Sequence, residues 1–285
     1  MVFNFQIRKH RRKDLYQKMA ERVDFSDACT QALKGVFSFH MMRTANPVLN
    51  NRTFTRLGGY AGSNTMTIQG TVVKTAIMLL LAVFSASVTW RMASQEGNPM
   101  PLAMGGAIGG VVLVLATMFK PTWAGFTAPL YALLEGLFLG AISAIFEMKY
   151  PGLVFNAICL TFGTLFSLLF AYQTGFIKAT ENFKLGVFAA TGAVGMVYLL
   201  SFIMSFFGSG LSFIHSSGTF GIIFSLGVVV IAALNLVLDF DFIENGAEAG
   251  APKYMEWVGA LGLMVTLVWL YIEILRLLAK MNDRR

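Results

Sequence analysis

Seven long apolar runs punctuate this 285-residue sequence, at roughly 71–92, 102–119, 125–147, 152–173, 183–207, 219–241 and 257–279. A helix needs about 20 apolar residues to cross the hydrocarbon of a bilayer. Each run is near that length, and the second, AMGGAIGGVVLVLATMF, is the shortest. The runs are continuous rather than alternating, so they predict helices and not barrel strands. Turn-forming residues separate them: Asn98-Pro99-Met100-Pro101, Lys120-Pro121, Tyr150-Pro151-Gly152, Gly208-Ser209-Gly210 and Gly250-Ala251-Pro252. Only 13% of the residues are charged and the mean hydropathy is +0.65. The expectation is an all-α, polytopic membrane protein, a seven-transmembrane helix bundle occupying residues 70–281, with the bilayer as its first partner.

The charge is unevenly spread. The 70 residues before the first span hold 11 of the 22 Lys and Arg. By the positive-inside rule the amino terminus is expected in the cytoplasm. Seven spans then put the loops around Lys120, Lys178/Lys184 and Lys253 on that side, and Arg91 and Lys149 outside. The tail 282–285 would lie outside although it ends in Arg284-Arg285. Either the amino-terminal signal overrides it, or one segment is re-entrant and both ends are cytoplasmic; seven full spans is the preferred reading. Residues 1–69 read as a basic cytoplasmic arm. Within it, 1–41 is a lipid-touching arm, a solvated tail, or sequence upstream of a true start at Met41 or Met42.

Chemistry is expected where acids interrupt the apolar runs. A carboxylate in hydrocarbon costs roughly 2.5–3.5 kcal/mol, so it is expected against a polar partner, a bundle interior or a water path. Glu135 lies near the middle of the third run, in LYALLEGLFLGAIS. Glu273 lies in the last run with Arg276 three residues on, and i,i+3 residues share a helix face, so a structural ion pair is the plain reading. Asp239, Asp241 and Glu244 close the sixth run. Asp239 and Asp241 point about 200° apart on a helix. Asp239 follows Asn235 by one turn and is taken as the buried acid; Asp241 and Glu244 are expected at the interface or in a loop. If Asp239 met an acid of another span, the two carboxylates could not both ionise cheaply and would share a proton. The same pair, ionised, would offer oxygen ligands to a cation. Ca²⁺ takes about 6–8 oxygens, so such a site suits passage rather than storage.

Other classes are excluded by what the chain lacks. There is no GxSxG elbow, no HExxH and no phosphate-binding glycine loop. Cys29 and Cys159 stand far apart, and His10, His40 and His215 are scattered, so no zinc site is expected. The chain is expected not to be an enzyme, to need no cofactor and to bind no nucleic acid. Gly105/Gly109, Gly106/Gly110 and Gly136/Gly140 repeat at four-residue spacing, which lets membrane helices approach closely.

Several blocks carry a family resemblance. ALNLVLDFDFIENG followed by APKYMEWVGALGLMVTLVWLYIEILRLLAK resembles the carboxyl-terminal signature of the Bax inhibitor-1/YccA family, in a bacterial subgroup. PLYALLEGLFLGAIS, YPGLVFNAICLTFGT and RTANPVLNNRTF are similar to that subgroup, and together the blocks cover about residues 42–281. The resemblance implies a bacterial inner-membrane protein of seven helices that acts as a pH-sensitive calcium leak. It also implies that an acid of the sixth span pairs with one of the seventh as pH sensor and gate. Asp239 and Glu273 match those positions and would form a weak, transient Ca²⁺ site. Arg276 would be the counter-charge, with Glu135 and Asp241 as pathway acids. Two departures stand out: the second acid is Glu rather than Asp, and ENGAEAGAPKYMEW lengthens the segment between the two. Some bacterial members bind a membrane protease, so the competing expectation is a non-transporting regulator with such a partner.

Overall fold

The computed structural model describes residues 65–95, 97–207 and 218–284. The expectations for residues 1–41 and for His215 lie outside these. Among the described residues, seven helices are each long and apolar enough to cross a membrane: α1 (Ile68–Ser94), α2 (Met100–Phe119), α3 (Ala124–Lys149), α4 (Leu153–Gln173), α5 (Glu181–Phe206), α6 (Thr219–Glu248) and α7 (Met255–Asp283). A single 3-10 turn, Pro121–Trp123, joins α2 to α3.

Local chemistry sets the helix ends. Thr67 caps α1 by accepting from the Gly70 N–H at 3.0 Å, and Thr180 caps α5 by accepting from the Phe183 N–H at 3.3 Å. Gly152 opens α4 at φ +83°, and Gly250 turns the chain between α6 and α7 at φ +64°, conformations that glycine adopts without strain. The segment before α1 pairs with that second turn: Met66 N–H donates to the Ala251 carbonyl at 2.7 Å, and Thr65 bridges Pro252.

The bundle is organised around α7. It packs against α6, α1, α4 and α3, whereas α5 packs mainly on α6. Of the most apolar stretch of α7, 78% is buried, against 17% for that of α5. Small residues bring the helices together. A Cβ added to Gly136 would overlap the Ala82 carbonyl and the Ser85 hydroxyl of α1, and one on Gly140 would overlap the Ala86 carbonyl and Thr89. Gly106 lies equally close to the Leu134 carbonyl of α3, and Gly109 to the Leu134 side chain. The four-residue glycine spacing thus marks the α1–α3 and α2–α3 contacts, with Gly105 facing open space.

The structure corrects the expected end of the sixth run. Helix α6 continues seven residues past 241, so Asp241 and Glu244 lie on the helix and not in a loop. Part of the ENGAEAGAPKYMEW segment is therefore absorbed as longer helix. Two polar groups there find partners: Asn245 donates to the Asp241 carbonyl at 2.6 Å, and the Tyr172 hydroxyl donates to Glu244.

Candidate functional site

Glu273 lies on the central helix with 2% of its surface exposed. Its carboxylate accepts from Arg276 Nη1 at 3.1 and 3.3 Å and from the Tyr198 hydroxyl of α5 at 3.0 Å. The same guanidinium donates to Tyr198 at 2.8 Å. The result is a closed triangle of acid, base and phenol that ties α5 to α7. The i,i+3 spacing made the Glu273–Arg276 pair legible; Tyr198 was not, because it comes from a helix 75 residues earlier in the sequence. A buried carboxylate without such partners would be strongly destabilising.

Asp239 on α6 is 0% exposed, and Asn235, one turn away, is 3% exposed. The Asn235 amide donates to Thr191 of α5 and to the Ile231 carbonyl, both at 2.8 Å. This face of α6 is therefore a buried polar stripe within an apolar bundle.

The structure does not set Asp239 and Glu273 at one depth. Near the α6–α7 turn, Gly259 meets Ile243: a Cβ on that glycine would lie 3.2 Å from Ile243 Cγ1. Farther along, Lys280 Nζ donates to Ser225 Oγ at 2.7 Å and to the Gly221 carbonyl at 3.1 Å. Both contacts fix the same antiparallel register. From the Ile243–Gly259 level, Asp239 is 4 residues deeper on α6 and Glu273 is 14 residues deeper on α7. At about 1.5 Å per residue these depths are roughly 6 and 21 Å, an offset of about 15 Å. Asp239 faces the level of Leu263, and Glu273 that of Val229. The offset arises because Glu273 lies 14 residues along α7 from the shared level, whereas Asp239 lies only 4 residues from it on α6.

The remaining expected acids stand apart from these two. Glu135 is buried on the side of α3 that faces α2, where a Cβ on Gly110 would lie 2.8 Å from its Oε2. Asp241 accepts from Lys184 of α5 at 2.7 Å, and Glu181 lies 3.4 Å from the same ammonium. Beside Asp241, Glu244 and Tyr172, a recess of about 480 Å³ opens near Lys178 and Thr180. Among the described residues, no three His, Cys, Asp or Glu side chains converge as a metal cage would require.

A fourth buried acid was not anticipated. Glu256, in the first turn of α7, is 1% exposed. It accepts from the Thr67 N–H and hydroxyl, both at 2.9 Å, and from Lys253 at 2.8 Å, and it pairs with Lys74 of α1. The signal in the sequence was Lys74, the one charge within the first apolar run before Arg91, and an acid at the opening of the last. Their separation of 182 residues hid the pairing.

Seven membrane-length helices among the described residues, the central one carrying buried, cation-balanced carboxylates, define a multi-pass membrane protein. The family model described as Bax inhibitor 1 like matches residues 46–283, and the chain belongs to that family. No curated protein matches it.

Proposed function

We propose that this protein is a pH-responsive cation leak, with calcium the favoured ion, and that Asp239 and Glu273 are its sensor and gate. The observation that carries the reading is the Glu273–Arg276–Tyr198 triangle at the centre of the bundle. While Glu273 is ionised, it holds Arg276 and Tyr198 and so clasps α5 against α7. A proton on Glu273 removes the charge that draws the guanidinium in. Arg276 is one-third exposed, which leaves it room to swing aside. When Glu273 is ionised again, a passing cation can take the place of the displaced guanidinium on the carboxylate, a brief oxygen contact of the kind a conducting site requires.

The offset between Asp239 and Glu273 changes how such a device would work. The two acids act as stations at successive depths, not as one shared-proton contact. Asp241 and the recess beside it supply the entry, and Glu135 lies on a separate face of α3. On the positive-inside reading this entry is cytoplasmic, in a bacterial inner membrane.

The test is calcium flux into dye-loaded liposomes across a pH series around neutrality. The variants are Asp239→Asn, Glu273→Gln and Arg276→Gln. The expected result is a pH-dependent flux whose pH response is lost in Glu273→Gln and flattened in Asp239→Asn. Flux no greater than that of empty liposomes, with the protein folded, overturns the leak. It would leave the reading as a regulator that acts through a membrane partner such as a protease.

A further inference from the structure

A groove of about 460 Å³ runs along the bundle between α1 and α4, floored by α3 and α7. Its floor is tight: Met264, Leu267 and Val268 of α7 are all buried. Its walls are open: Val83 of α1 is 67% exposed and Ile158 of α4 is 41% exposed. The few hydroxyls along it are already satisfied. Ser143 and Tyr271 bond each other at 2.7 Å, Thr161 donates to the Ala157 carbonyl at 2.8 Å, and Ser87 donates to the Phe84 carbonyl at 2.6 Å. A water needs two to four polar partners to stay in a cavity, and short of Trp90 and Arg91 at one end this groove presents none to spare.

Its length and its ends point to one occupant. On α1 the lining runs from Leu79, near the helix middle, to Trp90 and Arg91 in the last turn. The 12 helical steps from Leu79 to Arg91 span about 18 Å. Half of the hydrocarbon thickness is about 15 Å, so the groove reaches from mid-bilayer to one headgroup layer. At the headgroup end stands Trp90, of a type that favours that layer, beside Arg91. No carboxylate among the described residues pairs with Arg91.

We propose that this groove is a binding site for one phospholipid of the leaflet at the carboxyl-terminal end of α1. One acyl chain lies between Val83 and Ile158 over the α7 floor, and the phosphate is held by Arg91. Residues from α1, α3, α4 and α7 line the site, so the lipid is a filler for a gap that these helices leave when they close on the central one. The site is independent of the buried carboxylates.

The test is native mass spectrometry of protein stripped of lipid in mild detergent and titrated with phosphatidylglycerol. Wild type is expected to bind one lipid well before any second. Val83→Trp and Ile158→Trp fill the groove from opposite walls, and each is expected to lower that first occupancy at least tenfold. Arg91→Gln is expected to weaken it about fivefold, the effect of losing one basic contact at a membrane surface. Phe84→Trp, on the exposed side of α1 outside the groove, should bind as wild type does. The proposal is overturned if both groove-filling variants retain wild-type occupancy, or if wild type binds many lipids with no distinct first one. It is equally overturned if a second copy of the chain, detected by cross-linking at Val83, occupies the groove instead.

Discussion

Removing the charge of Glu256 should unfasten the end of the bundle where α1 and α7 begin. Its carboxylate serves three groups: Thr67 through two hydrogen bonds, Lys253, and Lys74. In Glu256→Gln the amide oxygen can still accept from Thr67, so those bonds survive in part. The Lys253 pair is half exposed on the lysine side and contributes about 0–1 kcal/mol. Lys74 is only 15% exposed, and leaving a buried charge uncompensated costs roughly 3–5 kcal/mol, of which the remaining solvent access relieves a part. A net loss of about 3 kcal/mol follows. At about 2–4 °C per kcal/mol for large domains, the apparent Tm in detergent should fall by roughly 6–12 °C. The scan rate must be held fixed because membrane proteins commonly unfold irreversibly. The informative companion is Lys74→Met with Glu256→Leu. Replacing a buried ion pair by apolar groups is often neutral, so this double variant should be more stable than Glu256→Gln alone. A Glu256→Gln protein that melts within about 2 °C of wild type, or a double variant less stable than the single, would refute the reasoning.

Gly140→Val should cost about 1–3 kcal/mol by overpacking the α1–α3 seam, read as a lower Tm, whereas Gly105→Ala, which meets nothing within 4 Å, should leave the Tm unchanged or slightly raised. Arg276→Met should destabilise by roughly 3 kcal/mol because Glu273 is then buried without its counter-charge, and adding Glu273→Gln should recover most of that loss in the same melt. A double-mutant cycle of Ser143→Ala and Tyr271→Phe should give a coupling of about 0.6 kcal/mol, the average for interhelical hydrogen bonds in membranes. A coupling near zero would mean that the 2.7 Å contact adds no stability.

The architecture was largely legible because hydropathy operates over whole segments: seven runs gave seven helices, and glycines at four-residue spacing marked real close approaches. Short-range pairs were legible as well, since Glu273 and Arg276 share a helix face by spacing alone. The continuation of α6 through Asp241 and Glu244 was not, because their polarity reads as the end of a span while their partners, Lys184 and Tyr172, come from other helices. The relative depth of Asp239 and Glu273 was equally hidden. It depends on where two helices end and how tightly the turn between them closes, and composition carries no record of that sum. Lys74 with Glu256 shows the same limit: each residue is visible as an anomaly, but only the folded bundle makes them neighbours.

The central place of α7 has a consequence for assembly. This helix leaves the ribosome after the other six, yet polar side chains on four earlier helices take partners from it: Lys74 from Glu256, Ser143 from Tyr271, Tyr198 from Glu273 and Ser225 from Lys280. Until it inserts, the first six spans sit in the bilayer with those groups unanswered and with no axis to close around. Biogenesis therefore contains a waiting stage in which the incomplete bundle is exposed to membrane quality control, and arrival of the final span is the step that ends that exposure.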